Sequence, residues 1–503
     1  MPVSSPRARP TSRVGGSTVS IRVDDLGPLD AAPPLRPVRR IVDDVPDRLS
    51  GASKSQVVRK RYAAAIGPGQ DNARVQKYVL SELATGERVI SEKLPSVRSV
   101  AIGIWIGAGS RDETDAKAGA SHFIEHMLFK GSRRYTAQEI AEIFDGLGGE
   151  LNAATSREHT MVYARVADAH AQTALDVMTD MVFEPSFEDL DSEREVVLEE
   201  IAMYDDTPQE LVHDLFSEAV FGSHALGRPV IGTAGVISSV TRRVLGSYHR
   251  QMYVGGNVVI AAAGNIEHNR LVRMLGRARS HQHPPKGKPR VRRPLVKAPP
   301  PGFRFARKET EQYHVCIGAP GISRSDRRRF AASLLDAILG GSASSRLFQE
   351  IREKRGMAYS VYSFASQYTD TGLIGIYLGT REENLGPCLE IAAEQAADIA
   401  AGNLKPAELL RAKENLKGRI MLSMESTSNR MSRLGKSLIT DTELLSVDRI
   451  IAEIEAVDAD EVAELAGLLL APEKLSIAGI GSNERLFRSA VRRLNPSVLA
   501  SAA

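Results

Sequence analysis

The chain has 503 residues, 42% hydrophobic and 25% charged, with a formal net charge of +3. Such fractions are ordinary for a globular protein, and the length predicts more than one domain. The basic excess is not concentrated in a folded segment, so we expect no nucleic-acid partner. No stretch reaches the roughly 18 apolar residues that a bilayer crossing needs, so we expect no membrane span.

The first 72 residues are rich in Pro, Arg, Ser and Gly and show no sustained hydrophobic period, which predicts a disordered tail. Its Arg-rich, acid-poor start resembles a mitochondrial transit peptide, but the segment soon turns acidic and proline-rich. Cys316 and Cys388 are too few for a disulfide framework and suit a reducing compartment. We therefore expect a bacterial cytoplasmic protein, with the mitochondrial matrix as the alternative.

The rest of the chain divides into two halves around a Pro-rich basic linker at 281–302. The first half spans 73–280 and is predicted to be the catalytic domain. The second spans 303–490 and is predicted to contact substrate. A C-terminal tail is expected at 491–503.

Strand patterns at 99–107 and 259–267 in the first half have counterparts at 313–318 and 476–484 in the second. Their near-constant offset indicates a duplicated domain. Helical patterns lie at 139–144, 169–181, 208–220 and 406–438. Since strands and helices do not alternate strictly, we expect an α+β fold of two homologous domains. Each would be a mainly antiparallel sheet with helices packed on one face.

A metal site is predicted on a short helix at 121–129. His122 and His126 are four residues apart and therefore lie on one helical face, where both can bind one ion. Glu125 lies beside them, placed to take a proton from a water that the metal polarises. Two surface histidines could also pair with a glutamate, but the full H-x-x-E-H pattern between apolar residues favours a metal. It is the signature of the inverted zincins.

A catalytic zinc usually has three protein ligands, and the acidic run at 193–203 is the best source of the third. Glu193 and Glu200 are two helical turns apart and project from one face, whereas Glu199 points elsewhere. Acidic helical runs are usually solvated, so the spacing alone does not select the ligand.

Together, these motifs resemble the pitrilysin/insulinase family of zinc metallopeptidases, closest to bacterial homologues of the mitochondrial processing peptidase beta subunit. The resemblance covers about residues 73–490. It implies one Zn²⁺ per chain, bound by His122, His126 and Glu200. It also implies that Glu125 is the general base and that Glu193 supports the site.

Two further segments carry the resemblance. Residues 148–160 look like the family's active-site edge strand, whose backbone, here at Asn152 and Ala153, pairs with an extended substrate. Arg352 and Tyr359 match the Arg and Tyr that bind substrate near the zinc, where a Tyr hydroxyl can stabilise an oxyanion. The second half has no zinc motif.

The resemblance implies a zinc-dependent endopeptidase that cleaves peptides or unfolded protein segments bound in extended conformation. The alternative is a non-catalytic core or assembly subunit of the same fold, although such relatives tend to lose the metal ligands. The family's working particle is a clamshell of four such domains, of which this chain would supply half. A homodimer is therefore expected, with a heterodimer containing an inactive paralogue as the alternative.

Overall fold

The computed structural model describes residues 78–500, except 281, 283–286, 288–291, 293 and 296. The tail predicted at 1–72 and part of the predicted linker lie outside the described residues. None of the described helices is both long enough and apolar enough to cross a membrane.

The first half contains six strands and eight α-helices among its described residues. In chain order they are β1 (Tyr78–Glu82), β2 (Arg88–Lys93), β3 (Ser99–Ile106), α1 (Ala120–Leu128), α2 (Ala137–Leu147), β4 (Glu150–Thr155), β5 (Thr160–Ala167), α3 (Ala171–Phe183), α4 (Leu190–Asp205), α5 (Pro208–Phe221), α6 (Ala234–Ser239), α7 (Arg242–Met252), β6 (Val258–Gly264) and α8 (His268–Ala278).

The second half adds five strands and eight α-helices in the described part of the chain. They are β7 (Phe303–Arg307), β8 (Tyr313–Gly321), α9 (Arg329–Leu339), β9 (Ala358–Gln367), β10 (Gly372–Thr380), α10 (Leu385–Ala400), α11 (Pro406–Ser423), α12 (Thr427–Ile439), α13 (Val447–Ala456), α14 (Ala459–Leu469), β11 (Ser476–Gly481), α15 (Glu484–Leu494) and α16 (Pro496–Ala500). A π-helical segment, Phe348–Glu353, precedes β9.

The two sheets share one topology. The first has the order β1-β2-β6-β3-β5-β4, and the second has β7-β11-β8-β10-β9. The pairs β2–β6 and β7–β11 are parallel, and the other described pairs are antiparallel. Apart from β1, each strand of the first sheet has a counterpart in the second. The prediction of two homologous α+β domains is confirmed.

Successive side chains of β3 point alternately into two hydrophobic cores, one on each face of the first sheet. Ile102 and Ile104 face the helices of the first domain, while Ala101 and Trp105 face the opposite side of the sheet. On that opposite side lies α12, which belongs in sequence to the second half and packs on β3 and β6. Gly103 permits this close approach, because a Cβ there would lie 2.4 Å from the Met431 sulfur.

The second sheet is covered in the same way by a helix from the first half. Helix α5 of the first half packs on β8 and β11 of the second sheet. There Val212 and Phe216 join a buried cluster with Tyr377 and Ile480. Each sheet therefore carries its own helices on the predicted face and one helix of the other domain on the second face. Each half of the chain therefore contributes one helix to the packing of the other half's sheet.

Two predicted segments differ from the structure. The helical run at 406–438 is two helices, because the Ser426 side chain accepts the backbone N–H of Asn429 and starts α12 anew. The expected C-terminal tail is also wrong over 491–500. Val491 and Val498 are fully buried, since α15 and α16 add their apolar faces to the core of the second domain.

Candidate metal centre

Helix α1 presents the H-x-x-E-H residues. Its apolar side chains, Phe123, Ile124, Met127 and Leu128, are fully buried in the first core. That burial fixes the rotation of the helix and turns the polar residues toward α4 and the edge strand β4, both of which pack beside it.

Three side chains converge between α1 and α4. Glu200 Oε2 lies 3.3 Å from His126 Nε2 and 3.7 Å from His122 Nε2. One ligand atom from each residue falls within 4.8 Å of the others. Two imidazole nitrogens and one carboxylate oxygen are a donor set suited to Zn²⁺, and they leave the fourth tetrahedral position open.

The two histidines are in different electrostatic states. Burial lowers the pKa of His122 to about 4, so its ring is neutral, and its Nδ1 has no hydrogen-bond partner in the described chain. Burial acts to lower the pKa of His126, but hydrogen bonds that its ring donates to Glu193 and Glu200 outweigh burial and raise that pKa to about 9. The neighbouring carboxylates therefore stabilise positive charge at this position, as a bound metal cation requires.

Glu193 contacts His126 on the ring nitrogen that faces away from Glu200. Its Oε1 lies 2.8 Å from His126 Nδ1, and its Oε2 lies 2.7 Å from Lys130 Nζ. Burial acts to raise the pKa of Glu193, but His126 and Lys130 lower it below the ordinary value. The Glu193 carboxylate accepts from Nδ1 and so fixes the orientation of the ring, which leaves Nε2 to bind an ion when one is present.

Glu125 is not part of this donor triangle. Its carboxylate accepts a short hydrogen bond from the hydroxyl of Thr155, the last residue of β4. Burial raises the pKa of Glu125, and the Thr155 bond acts against that rise. The side chain is thus held beside the metal ligands as a carboxylate with a raised proton affinity.

The predicted substrate strand lies where the resemblance implies. β4 pairs with β5 on one side and ends the strand order of the sheet, so it is an edge strand. Along it, Leu151, Ala153 and Thr155 are the less exposed positions, and Asn152 is exposed. The Asn152 amide oxygen accepts the backbone N–H of Ala153 at 2.8 Å.

Arg352 and Tyr359 lie together in the second domain. The Arg352 guanidinium stacks 4.5 Å from the Tyr359 ring centre and donates to the Tyr359 carbonyl at 2.9 Å. The Tyr359 side chain is 77% exposed. Among the described residues, no hydrogen bond or ion pair joins this pair to the His122 cluster.

Sequence reasoning missed three residues that support the site. Thr155 lies two residues after Ala153, on the same face of the edge strand, and that period-two pattern could have indicated that it faces α1. Lys130 follows His126 by four residues and could have been considered for that reason. Glu113, whose carboxylate binds the start of α1, gave no local signal.

Comparison with known proteins agrees with the fold. Residues 88–234 match the model of the insulinase family, peptidase family M16, and residues 239–416 match that of the peptidase M16 inactive domain. A crystal structure of a protease from Helicobacter pylori has a TM-score of 0.75 at 21% identity. It covers 81% of this chain and 100% of that one. At this identity, the likeness supports the fold alone.

Two curated relatives are more similar in sequence. An uncharacterized zinc protease of Streptomyces coelicolor is 44% identical over 76% of this chain and 85% of its own. The uncharacterized zinc protease YmxG of Bacillus subtilis is 43% identical over 76% of this chain and 93% of its own. The chain therefore belongs to the insulinase family of zinc metallopeptidases, peptidase family M16. Both relatives are bacterial, while the cytoplasmic location stays a prediction.

Proposed function

We propose that the protein is a zinc-dependent endopeptidase that cleaves peptides or unfolded protein segments bound in extended conformation. One observation carries the proposal. His122, His126 and Glu200 converge on one point, while Glu125 lies beside them without joining the triangle. A purely structural zinc site would have four protein ligands and no need for a buried carboxylate beside them.

Each residue has a separate task in this proposal. His122, His126 and Glu200 hold the ion, and Glu193 orients the His126 ring. The chemistry that Zn²⁺ would supply when bound there is Lewis-acid polarisation of the substrate carbonyl and of a water molecule. Glu125 accepts the proton of that water and later passes it to the leaving amine, for which its raised pKa is favourable. Thr155 keeps the Glu125 carboxylate oriented between these transfers.

The edge strand β4 supports the proposed mode of substrate binding. An extended peptide can add to its open side through backbone hydrogen bonds, with Asn152 and Ala153 at the middle of the strand. Thr155 belongs to the same strand and contacts the proposed base. A peptide aligned on β4 would therefore pass close to Glu125.

Three variants test the proposal. Glu125→Gln should retain about one zinc per chain and lose nearly all peptidase activity, because an amide cannot accept the proton. His122→Ala and Glu200→Gln should lose zinc affinity, because each removes a metal ligand. Metal analysis and cleavage of a mixed peptide library give the two readouts. Zinc-loaded wild type without peptidase activity would instead support the non-catalytic alternative.

Within the described part of one chain, no hydrogen bond or ion pair links the zinc triangle to Arg352 and Tyr359, which agrees with a site shared between two subunits. We propose a homodimer in which the second domain of one subunit brings this pair to the zinc of the other. Glu125→Gln and Arg352→Ala chains should each be inactive as homodimers. When they are co-expressed, heterodimers should regain activity, because one of their two sites carries no lesion. Verified heterodimers that stay inactive would refute the shared site.

A further inference from the structure

Glu113 is a buried carboxylate that does not belong to the metal-binding triangle. It is 6% exposed and lies in the loop between β3 and α1. Its Oε2 accepts the backbone N–H of Gly119 at 2.7 Å, and its Oε1 accepts that of Ser121 at 2.6 Å. Both donors belong to the start of α1, and His122 is the next residue along the chain.

The start of α1 has no cap of its own. The first N–H groups of a helix have no partner within the helix and are usually satisfied by an N-cap side chain. Here the N-cap is Gly119, which has no side chain and adopts φ 93°. A Cβ at this position would lie 2.5 Å from the carbonyl oxygen of Ile231, so a side-chain cap does not fit. Glu113 supplies the missing acceptors from six residues upstream.

We propose that Glu113 is a positioning residue for the metal centre, fixing the first turn of α1 so that His122 is presented to the ion. Helix α1 has only nine residues, and both histidines lie on it. A shift of its first turn would therefore move His122 relative to His126 and Glu200. The proposal rests on the zinc site and does not depend on peptidase activity.

The groups around Glu113 have opposing effects on its pKa. Burial raises its pKa to about 7, while the N–H groups of Ser121 and Gly119, together with Arg228, act against that rise. The groups that Glu113 binds therefore favour its carboxylate form, whereas burial favours the protonated form. The positive end of the α1 dipole adds to the attraction.

The chain offers a matched control in Glu139. This glutamate also binds a helix start, since its Oε2 accepts the backbone N–H of Thr136 at 2.8 Å in the capping box of α2. Helix α2 carries none of the metal ligands, and Glu139 is exposed. Glu139→Gln therefore reports what the loss of a carboxylate charge at a helix start does by itself.

The experiment measures zinc affinity and folding separately. Wild type, Glu113→Gln, Glu113→Asp and Glu139→Gln are titrated with Zn²⁺ against a chromophoric chelator, and the Tm of each zinc-free chain is recorded. Gln places an amide donor against one of the two N–H groups, and Asp is too short to reach both. We expect the zinc Kd to rise about 10- to 100-fold in both Glu113 variants, the range typical for residues that orient metal ligands.

The control should lower the Tm of the zinc-free chain with less than about a twofold change in Kd. A Kd within about twofold of wild type in a folded Glu113 variant would overturn the proposal. Glu139→Gln weakening zinc as strongly as Glu113→Gln would also overturn it, by showing that the loss of charge at any helix start suffices. If Glu113→Gln does not fold, the Kd of Glu113→Asp decides. Wild type that binds no zinc would instead refute the metal site itself.

Discussion

Replacing Glu158 by glutamine tests what joins the two domains. Glu158 lies on the turn after the edge strand, and its side chain is 1% exposed. It accepts from Arg111 of the first domain at 2.7 Å and from Arg324 of the second at 3.1 Å. The backbone N–H of Thr369 in the second domain also donates to it. Glutamine keeps the shape of the side chain but removes its charge.

The size of the effect follows from the charges around Glu158. Asp370 accepts two bonds from Arg111, and Asp112 binds Arg292 of the linker. Three carboxylates thus face three guanidinium groups. The carboxylates are those of Asp112, Glu158 and Asp370, and the guanidinium groups are those of Arg111, Arg292 and Arg324. The variant leaves two carboxylates for three cations. Removing one partner of a buried pair costs about 3–5 kcal/mol, which we expect for the free energy of unfolding at pH 7.

The assay is urea unfolding followed by the fluorescence of Trp105, the sole tryptophan, which lies beneath α12. Burial acts to raise the pKa of Glu158, but Arg324 and Arg292 outweigh it and hold the pKa below the ordinary value. A depressed pKa stabilises the fold above the unfolded-state pKa and loses that contribution as pH falls through the folded-state pKa. The difference between variant and wild type should therefore shrink below about pH 4.

The control is Glu267→Gln, which breaks the exposed pair with Lys93 of the first sheet. It should leave the unfolding midpoint almost unchanged, because surface ion pairs contribute little. A loss of less than about 1 kcal/mol in Glu158→Gln, the net value of an ordinary hydrogen bond, would refute the argument from buried charge.

Three further substitutions test other contacts. Met431→Ala should lower the free energy of urea unfolding by about 2–5 kcal/mol by opening a cavity over Trp105, and a loss below 1 kcal/mol would contradict that packing. Gly119→Ala should lower the Tm, since its φ of 93° and the close Ile231 carbonyl both exclude a Cβ; an unchanged Tm would show that the turn can relax. Thr155→Val should keep zinc and reduce kcat by about tenfold by releasing Glu125, whereas an unchanged kcat would remove Thr155 from the site.

The local part of the site could be predicted from the sequence. His122, Glu125 and His126 share one helical turn and a half, so their spacing alone defines a common face. The third ligand, Glu200, is harder to predict from the sequence, because Glu193 lies in the same helical run and the spacing does not distinguish the two. The structure separates them by contact, since Glu200 faces both Nε2 atoms and Glu193 faces Nδ1 of His126.

The contacts that sequence could not supply are long-range. Glu113 reaches the start of α1 across a loop, and no periodic pattern records such a bond. The split of the helical run before α12 depends on one Ser side chain within an otherwise helical pattern. Its consequence, the transfer of α12 to the first sheet, depends on tertiary fit between Gly435 and the Trp105 indole. Neither residue indicates a partner in another domain.

Because α12 packs on the first sheet but lies late in the sequence, one face of that sheet can be covered only late in synthesis. All strands of the first sheet have been made once Gly264 is reached, but the helix that covers their second face begins at Thr427. At about 5–20 residues per second, translation of the intervening chain takes on the order of ten seconds. Throughout that interval the chain lacks the helix that covers Ala101 and Ala261 in the complete protein. The order of synthesis therefore delays the burial of this face of the first sheet until α12 has been made.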